Sequence, residues 1–322
     1  MDEIIKFENT AIARHVEDLD KDMMGFISNS KSPNTVRAYK KDWSDFRTWC
    51  QLYNFKPLPA TPKTVGRYIS ALAKAEKKVS TIQRRLAAIS QAHQAAGLAT
   101  PTLDFLIRST LKGIRATKRV APHKKEPLLT PDIQQMVQRL PNTKKGLRDR
   151  ALLLVGFAGA FRRSELVALD LEDIRFTREG LTVLIRQSKT DQEGEGQKIA
   201  IAYGSNPQSC PVRTLEDWIT AANLTKGALF RRCNRWDQVM PGRLGDKMVA
   251  LIVKDAARQI GLNEEDYAGH SLRAGFATSA AKNGATESSI MKTTRHRSLT
   301  VLRGYIRDGN LFNDNASTKL GL

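Results

Sequence analysis

The sequence predicts a mainly α-helical protein with one small β-sheet, an α+β chain of two domains. Three observations carry that expectation. Apolar residues recur at alternating steps of three and four through most of the chain. One pair of segments alternates strictly around a turn cluster, and a basic, proline-containing stretch interrupts both patterns about a third of the way along.

Residues 1–30 mix acidic and apolar character and read as an N-terminal extension that is partly ordered at best. From Ser32 the signals sharpen. Ser32 and Asn34 precede Val36, Tyr39, Trp43, Phe46, Cys50 and Tyr53, an amphipathic stripe. Arg37, Lys40, Lys41 and Arg47 lie off the stripe, on a solvated face that in a basic chain can touch phosphates. Thr61 followed by Pro62 reads as a cap and a first helical proline, introducing Val65, Ile69 and Leu72. Ser80 with Gln83 reads as a capping box for a third helix through Ile82, Leu86 and Ile89, which ends at Gly97. A fourth helix is expected over 103–114, so that residues 31–115 form a small helical domain. Residues 116–127 form a basic linker. Arg84, Lys118 and Arg119 join the candidates for phosphate contact, while His93 and His123 have no partner at ligand spacing.

The second domain is expected over 128–310, followed by a tail at 311–322. Thr130 and Pro131 cap its first helix, which carries Ile133, Met136, Val137 and Leu140. The run ALLLVGFAGA is apolar all round and belongs in a core. It leads straight into Phe161, Arg162, Arg163, Ser164 and Glu165, and a charge at the edge of a buried helix needs a partner. Arg162 and Glu165 either form a purely structural pair or aim Arg162 into a site with Glu165 as its brace. Residues 181–186 and 198–202 alternate as strands around the turn cluster QSKTDQEGEG, which carries Lys189. Near the C-terminal end, His270 and Arg273 share one helix start, where backbone N–H groups favour an anion. Thr286 caps a further helix, and Ser298 with Thr300 marks a last one that carries Tyr305 in its second turn. A phenol aimed at His270, Arg273 and His296 is a candidate nucleophile for a phosphate ester; a core-facing ring four residues after Val301 is the plainer reading.

Composition narrows the class. The 322 residues hold 52 Lys and Arg against 33 Asp and Glu, a formal net charge of +19, and a folded chain that basic suggests a polyanionic partner, most often nucleic acid. No apolar run approaches a spanning helix, and MDEIIKFENT lacks a signal-peptide core, so no membrane is expected and the chain reads as cytoplasmic. Cys50, Cys210 and Cys233 are widely spaced, with no zinc-type pairing, and there is no GxxxxGK[ST] loop. Neither a metal nor ATP nor any other cofactor is expected.

GAFRRSEL, the hairpin lysine in SKTDQEG, HSLR and RHRSLTVLRGY occur in that order, and the set resembles the tyrosine recombinase (phage integrase) family in its simple two-domain, Xer-like or Cre-like form. The resemblance covers roughly residues 30–315 and is strongest in the second domain. It implies a SAM-like helical core-binding domain and a catalytic domain that enclose DNA as a C-shaped clamp. By resemblance the catalytic set is Arg162, Glu165, Lys189, His270, Arg273, His296 and the nucleophile Tyr305. It implies a 3′-phosphotyrosyl bond, a 5′-hydroxyl protonated by Lys189, and two arginine forks holding the phosphate oxygens as a metal would. The implied partner is double-stranded DNA carrying a specific recombination site, in a bacterial nucleoid or mobile-element setting. Four protomers on two sites would exchange strands through a Holliday junction, the tail docking on a neighbour, with room for an accessory factor or a partner recombinase. DNA affinity is expected to fall steeply with ionic strength.

Two local features depart from the family pattern. The residue before the histidine, often glycine in the family, is Arg295 here, so a different turn is expected; and Arg162 takes the first arginine role over Arg163 because Glu165 is three beyond it. A non-catalytic sequence-specific DNA-binding protein and a type IB topoisomerase are the alternative classes. The first gives no reason to keep Tyr305, Lys189 and both arginines together, and the compact first domain favours a recombinase over the second.

Overall fold

The computed structural model describes residues 32–118, 125–186, 196–296 and 298–309, with isolated positions 315, 317 and 320. The expected N-terminal extension, Arg119, His123, Lys189 and nearly all of the tail lie outside the described residues. The chain divides into two compact units, Met1–Pro122 and His123–Leu322.

The first unit is helical throughout its described part: α1 (Pro33–Leu52), α2 (Pro62–Lys74), α3 (Val79–Ala95) and α4 (Phe105–Lys118), the last preceded by a 3-10 turn at Pro101–Leu103. Helix α1 packs chiefly on α3, and α2 on α4. Ser32 and Thr61 cap α1 and α2 as expected, their hydroxyls accepting from the N–H groups of Thr35 and Thr64. Helix α3 differs: it starts at Val79 with Lys78 as its N-cap and no side-chain cap bond, because the chain turns helical before Ser80 can cap it. Helix α4 runs to Lys118, past the residue 115 expected as its domain's end. Phe46, Cys50, Val65, Tyr68, Ile69, Ile82, Ile89 and Ile107 form a closed core. His93 is fully buried and structural; its Nε2 accepts from the N–H of Ala60 at 2.9 Å and its Nδ1 lies 2.8 Å from the carbonyl of Ile89.

In the second unit α5 (Thr130–Arg139) and α6 (Lys144–Ala158) lead through a sharp turn to the short α7 (Arg163–Ala168). Strands β1 (Ile174–Phe176), β2 (Gly180–Ile185) and β3 (Gln197–Ala202) make an antiparallel sheet in that order. Leu181 pairs with Ile201 and Val183 with Ile199, so the apolar members of both strands bury on one face. Helix α8 (Pro211–Ala221) is followed by a hairpin of β4 (Arg231–Cys233) and β5 (Val239–Arg243), then by α9 (Asp246–Gln259), α10 (Gly269–Lys282), α11 (Glu287–Thr294) and α12 (Leu299–Gly309). Thr286 caps α11 as its position predicts. Thr130 does not cap α5, because the helix already includes it; the N-cap is Leu129, and the carboxylate of Asp132 accepts its N–H.

Helix α6 sits at the centre, with Ala151, Leu152, Leu153 and Val155 fully buried, and carries α8 on one side and α10 on another. Helix α10 lies so close to the incoming chain that a Cβ on Gly275 would fall 1.8 Å from the carbonyl oxygen of Leu128. Only glycine permits that approach. It fixes the helix that carries His270 and Arg273.

Candidate active site

The site gathers at the C-terminal end of α6. There Gly159 closes the helix and Ala160 takes a left-handed backbone, φ 47°, which turns the chain into α7. A non-glycine residue there costs roughly 1–2 kcal/mol. The carbonyl that this turn exposes collects the arginines. Arg273, 1% exposed, donates from Nη1 to the oxygen of Ala160 at 2.7 Å. Its Nη2 is buried and has no partner among the described residues. Desolvation, then the neighbouring Arg162 and Arg295, bring its pKa down to about 9.

Arg162 stands just before α7. Its Nη1 donates to Oε1 of Glu165 at 2.5 Å, and its backbone N–H to Oε2 at 2.9 Å. Glu165 thus caps the short helix and grips the guanidinium at once. Arg163 points elsewhere, half-exposed and 3.4 Å from Asp246. Of the two adjacent arginines, Arg162 is the one that Glu165 holds.

Tyr305 reaches the same place from α12. One side of its ring packs near Ala277, Ala281, Ile290 and Leu302, so the core-facing reading is partly right. Its hydroxyl lies 3.0 Å from Nε2 of His270. His296 follows α11; its Nδ1 lies 2.8 Å from Oγ1 of Thr294, and its ring centroid 6.0 Å from that of Tyr305. Desolvation, then the charges of Arg273 and Arg162, bring its pKa to about 4. His270 sits at the solvent edge, but the packing around its ring, then Arg273 and Arg162, hold its pKa below the ordinary histidine value. Both imidazoles are neutral at neutral pH. One can accept a proton, and the other can donate a neutral hydrogen bond.

Six of the seven expected catalytic residues therefore converge. Lys189 lies outside the described residues; among the described ones, Gln197, at the start of β3, and His296 line one cavity of about 520 Å³. Of the expected DNA-contact residues, Arg37, Lys40, Lys41 and Arg47 are exposed on α1. Arg84 is half-exposed but holds Asp42 with two hydrogen bonds, at 2.7 and 3.0 Å. Lys118 is largely covered and paired with Glu76 at 2.9 Å.

One participant was not anticipated. Arg295 ends α11 in the left-handed conformation, φ 56° and ψ 40°, and is itself buried. The turn before the histidine thus has the backbone that glycine adopts freely, and here an arginine adopts it. The departure from the family's usual glycine was the one signal that could have drawn notice.

The fold and the convergence of a phenol, two imidazoles and paired arginines agree with comparisons to known proteins. Residues 127–310 match the model of the phage integrase family, and residues 26–98 that of its N-terminal SAM-like domain. The chain belongs to the phage integrase family, the tyrosine site-specific recombinases. An integrase/recombinase XerD homolog from Selenomonas ruminantium is 42% identical over 298 residues, covering 91% of this chain and 87% of its own. The recombinase Cre of Escherichia phage P1 is 23% identical, covering 92% and 89%. Among solved structures, the Tn1549 transposon integrase in complex with transposon right-end DNA aligns with a TM-score of 0.62 at 14% identity, covering 85% of this chain and 89% of that one. A lambda integrase dimer bound to a core site aligns at 0.56 and 18% identity, covering 90% and 94%. Among the described residues no helix is long and apolar enough to cross a membrane, and no cluster of His, Cys, Asp or Glu could hold a metal.

Proposed function

We propose that this chain cuts and rejoins duplex DNA at a specific recombination site, with Tyr305 as nucleophile. The observation that carries the reading is the 3.0 Å contact of the Tyr305 hydroxyl with His270 Nε2, beside a buried guanidinium edge on Arg273 that has no partner among the described residues. A phenol of pKa about 10 is ionised to roughly one part in a thousand at neutral pH, so it needs a neighbour that takes its proton as it attacks. Neutral His270 is that base. The Tyr305 oxygen bonds to phosphorus, the P–O5′ bond breaks, and the leaving oxygen takes a proton from Lys189. Arg162 and Arg273 hold the non-bridging oxygens as charge builds, Glu165 braces Arg162, and His296 donates to a phosphate oxygen. Attack by another strand's 5′-hydroxyl reverses the step and releases Tyr305. Because the ester is exchanged and never hydrolysed, strands rejoin without an external energy source.

Relatives named as recombinases and integrases, two of them solved with DNA, support a DNA partner. Four protomers on two sites, exchange through a Holliday junction, a cytoplasmic setting and the use of an accessory factor or second recombinase belong to the same proposal. The exposed basic face of α1, with Arg37, Lys40, Lys41 and Arg47, supplies phosphate contacts.

The test is a covalent trap. Wild-type protein incubated with nicked duplexes from its genomic neighbourhood, then denatured, retains attached DNA, and the Tyr305→Phe variant binds DNA but retains none. Attachment by the variant moves the nucleophile elsewhere; binding without attachment by the wild type favours a non-catalytic DNA-binding protein. Relaxation of a plasmid without a site favours a topoisomerase.

A further inference from the structure

Left-handed Arg295 turns both terminal nitrogens of its guanidinium to acceptors around the site, while its buried Nε has no partner among the described residues. Nη2 donates to Oε2 of Glu165 at 2.9 Å and to the carbonyl of Ala160 at 3.0 Å; Nη1 donates to the carbonyls of Gly159 at 3.1 Å and Thr293 at 2.9 Å. Its guanidinium also lies 5.3 Å from the centroid of the Phe161 ring. These partners stand 130 or more residues away in sequence, Thr293 excepted. Two of them also place the other arginines: Glu165 grips Arg162, and the Ala160 carbonyl accepts from Arg273. The next residue is His296.

We infer that Arg295 is a positioning residue for strand cleavage, a strut that ties the loop carrying His296 to the Ala160 turn and shares Glu165 with Arg162. Three features point the same way. A bulky residue holds a backbone conformation that glycine would hold without strain. The fork reaches three acceptors of the site at once, which a single ammonium cannot do. And Glu165, 4% exposed, has both oxygens occupied, Oε1 by Arg162 and Oε2 by Arg295 and the Arg162 N–H. Without Arg295, Glu165 is free to swing toward Arg162 alone, and the Arg162 fork turns from the phosphate. The hydrogen bonds of Arg295 end on Glu165 and on three backbone carbonyls, so its effect is expected on the rate of cleavage and not on binding.

The inference rests on the recombinase reading, and the experiment separates the two. Arg295→Gly and Arg295→Lys are compared with wild type for single-turnover covalent trapping, DNA affinity and thermal unfolding, and His296 is followed in the DNA-free proteins by 15N NMR titration. The glycine variant, free of backbone strain, is expected to fold and to bind DNA as wild type does while trapping roughly 10- to 100-fold more slowly. Guanidinium chloride, against sodium chloride at matched ionic strength, restores part of the rate by refilling the vacated fork. The lysine variant keeps the charge, loses the fork and is slow as well, and in both variants the His296 titration moves toward that of an ordinary histidine. Trapping at the wild-type rate by Arg295→Gly overturns the assignment, as does a slowdown matched by weaker DNA binding. If wild type itself traps no DNA, the recombinase reading falls, and the NMR arm alone decides: a wild-type His296 titration in Arg295→Lys shows that the fork positions nothing.

Discussion

Arginines meet carboxylates in both units of this chain, and to opposite effect. In the N-terminal unit Arg84 sets two hydrogen bonds on Asp42, while Arg85 reaches Asp45 at 2.6 Å and the Tyr68 hydroxyl at 2.7 Å. Two guanidiniums face two carboxylates, and the hydrogen bond to Asp42 raises the pKa of Arg84. In the catalytic unit Arg162, Arg273 and Arg295 converge on Glu165 and one backbone carbonyl, and burial lowers the pKa of both Arg273 and Arg295. The first arrangement is electrostatically finished. The second holds positive charge in reserve, stable only because the rest of the fold outweighs it; in the proposed function a phosphate diester supplies the charge it lacks.

The largest test of that contrast is Arg273→Met. Single-turnover cleavage should fall about 10²- to 10³-fold, the scale of losing one charge-stabilising donor. Stability should move the other way. A folded pKa near 9, well below the ordinary arginine value, means that the buried charge opposes folding by on the order of 4–5 kcal/mol at neutral pH, a penalty relieved only as pH rises past 9. The methionine variant should therefore unfold at a higher temperature than wild type in the absence of DNA. A lower unfolding temperature would show that the Ala160 contact outweighs the charge, and the contrast would fail.

Acid probes the same reserve through His296. Its folded pKa of about 4 lies below its unfolded value near 6.5, so the unfolded chain binds the extra proton first. Stability from this group is whole above pH 6.5 and lost as pH falls toward 4, on the order of 3 kcal/mol in all. Urea unfolding of the DNA-free protein across that window should show the loss, and His296→Gln should flatten it; an unchanged slope in the variant would assign the effect elsewhere. Cleavage should also decline on acidification as His270 becomes protonated, at a pH below the ordinary histidine range.

The smallest expected effect belongs to the finished pair. Asp42 is 1% exposed, and Asp42→Asn replaces a charged acceptor with a neutral one while Arg84 can turn toward water. A loss of about 1–3 kcal/mol is expected, read from urea unfolding by tryptophan fluorescence, with the trapping rate per folded molecule unchanged. A trapping defect of the size expected for Arg273→Met would erase the distinction between the two units.

Periodicity made the helices legible, and turn chemistry made several of their starts so: Ser32, Thr61 and Thr286 cap where they were expected to. Ser80 and Thr130 did not, since either residue serves inside a first turn as readily as before it. The three-stranded sheet was visible from the alternation of β2 and β3, whereas one sheet was expected from the sequence and the β4–β5 hairpin makes a second. Strand β1, three residues long, and the β4–β5 hairpin, none of whose strand residues is buried, carry too little apolar pattern to announce themselves.

The sequence by itself determined which chemical groups are available, their order, and the helices and hairpin that carry them, because those depend on neighbours within a few residues. Arg162, Glu165, His270, Arg273, His296 and Tyr305 were readable as a set only through the resemblance of their ordered motifs to a known family. Only the tertiary structure decided that Arg163 turns away to Asp246, that the phenol meets His270, and that Arg295 enters the site. Each of those facts rests on contacts between groups dozens to more than a hundred residues apart, and on two left-handed turns, at Ala160 and Arg295, that local preference opposes and the assembled core enforces.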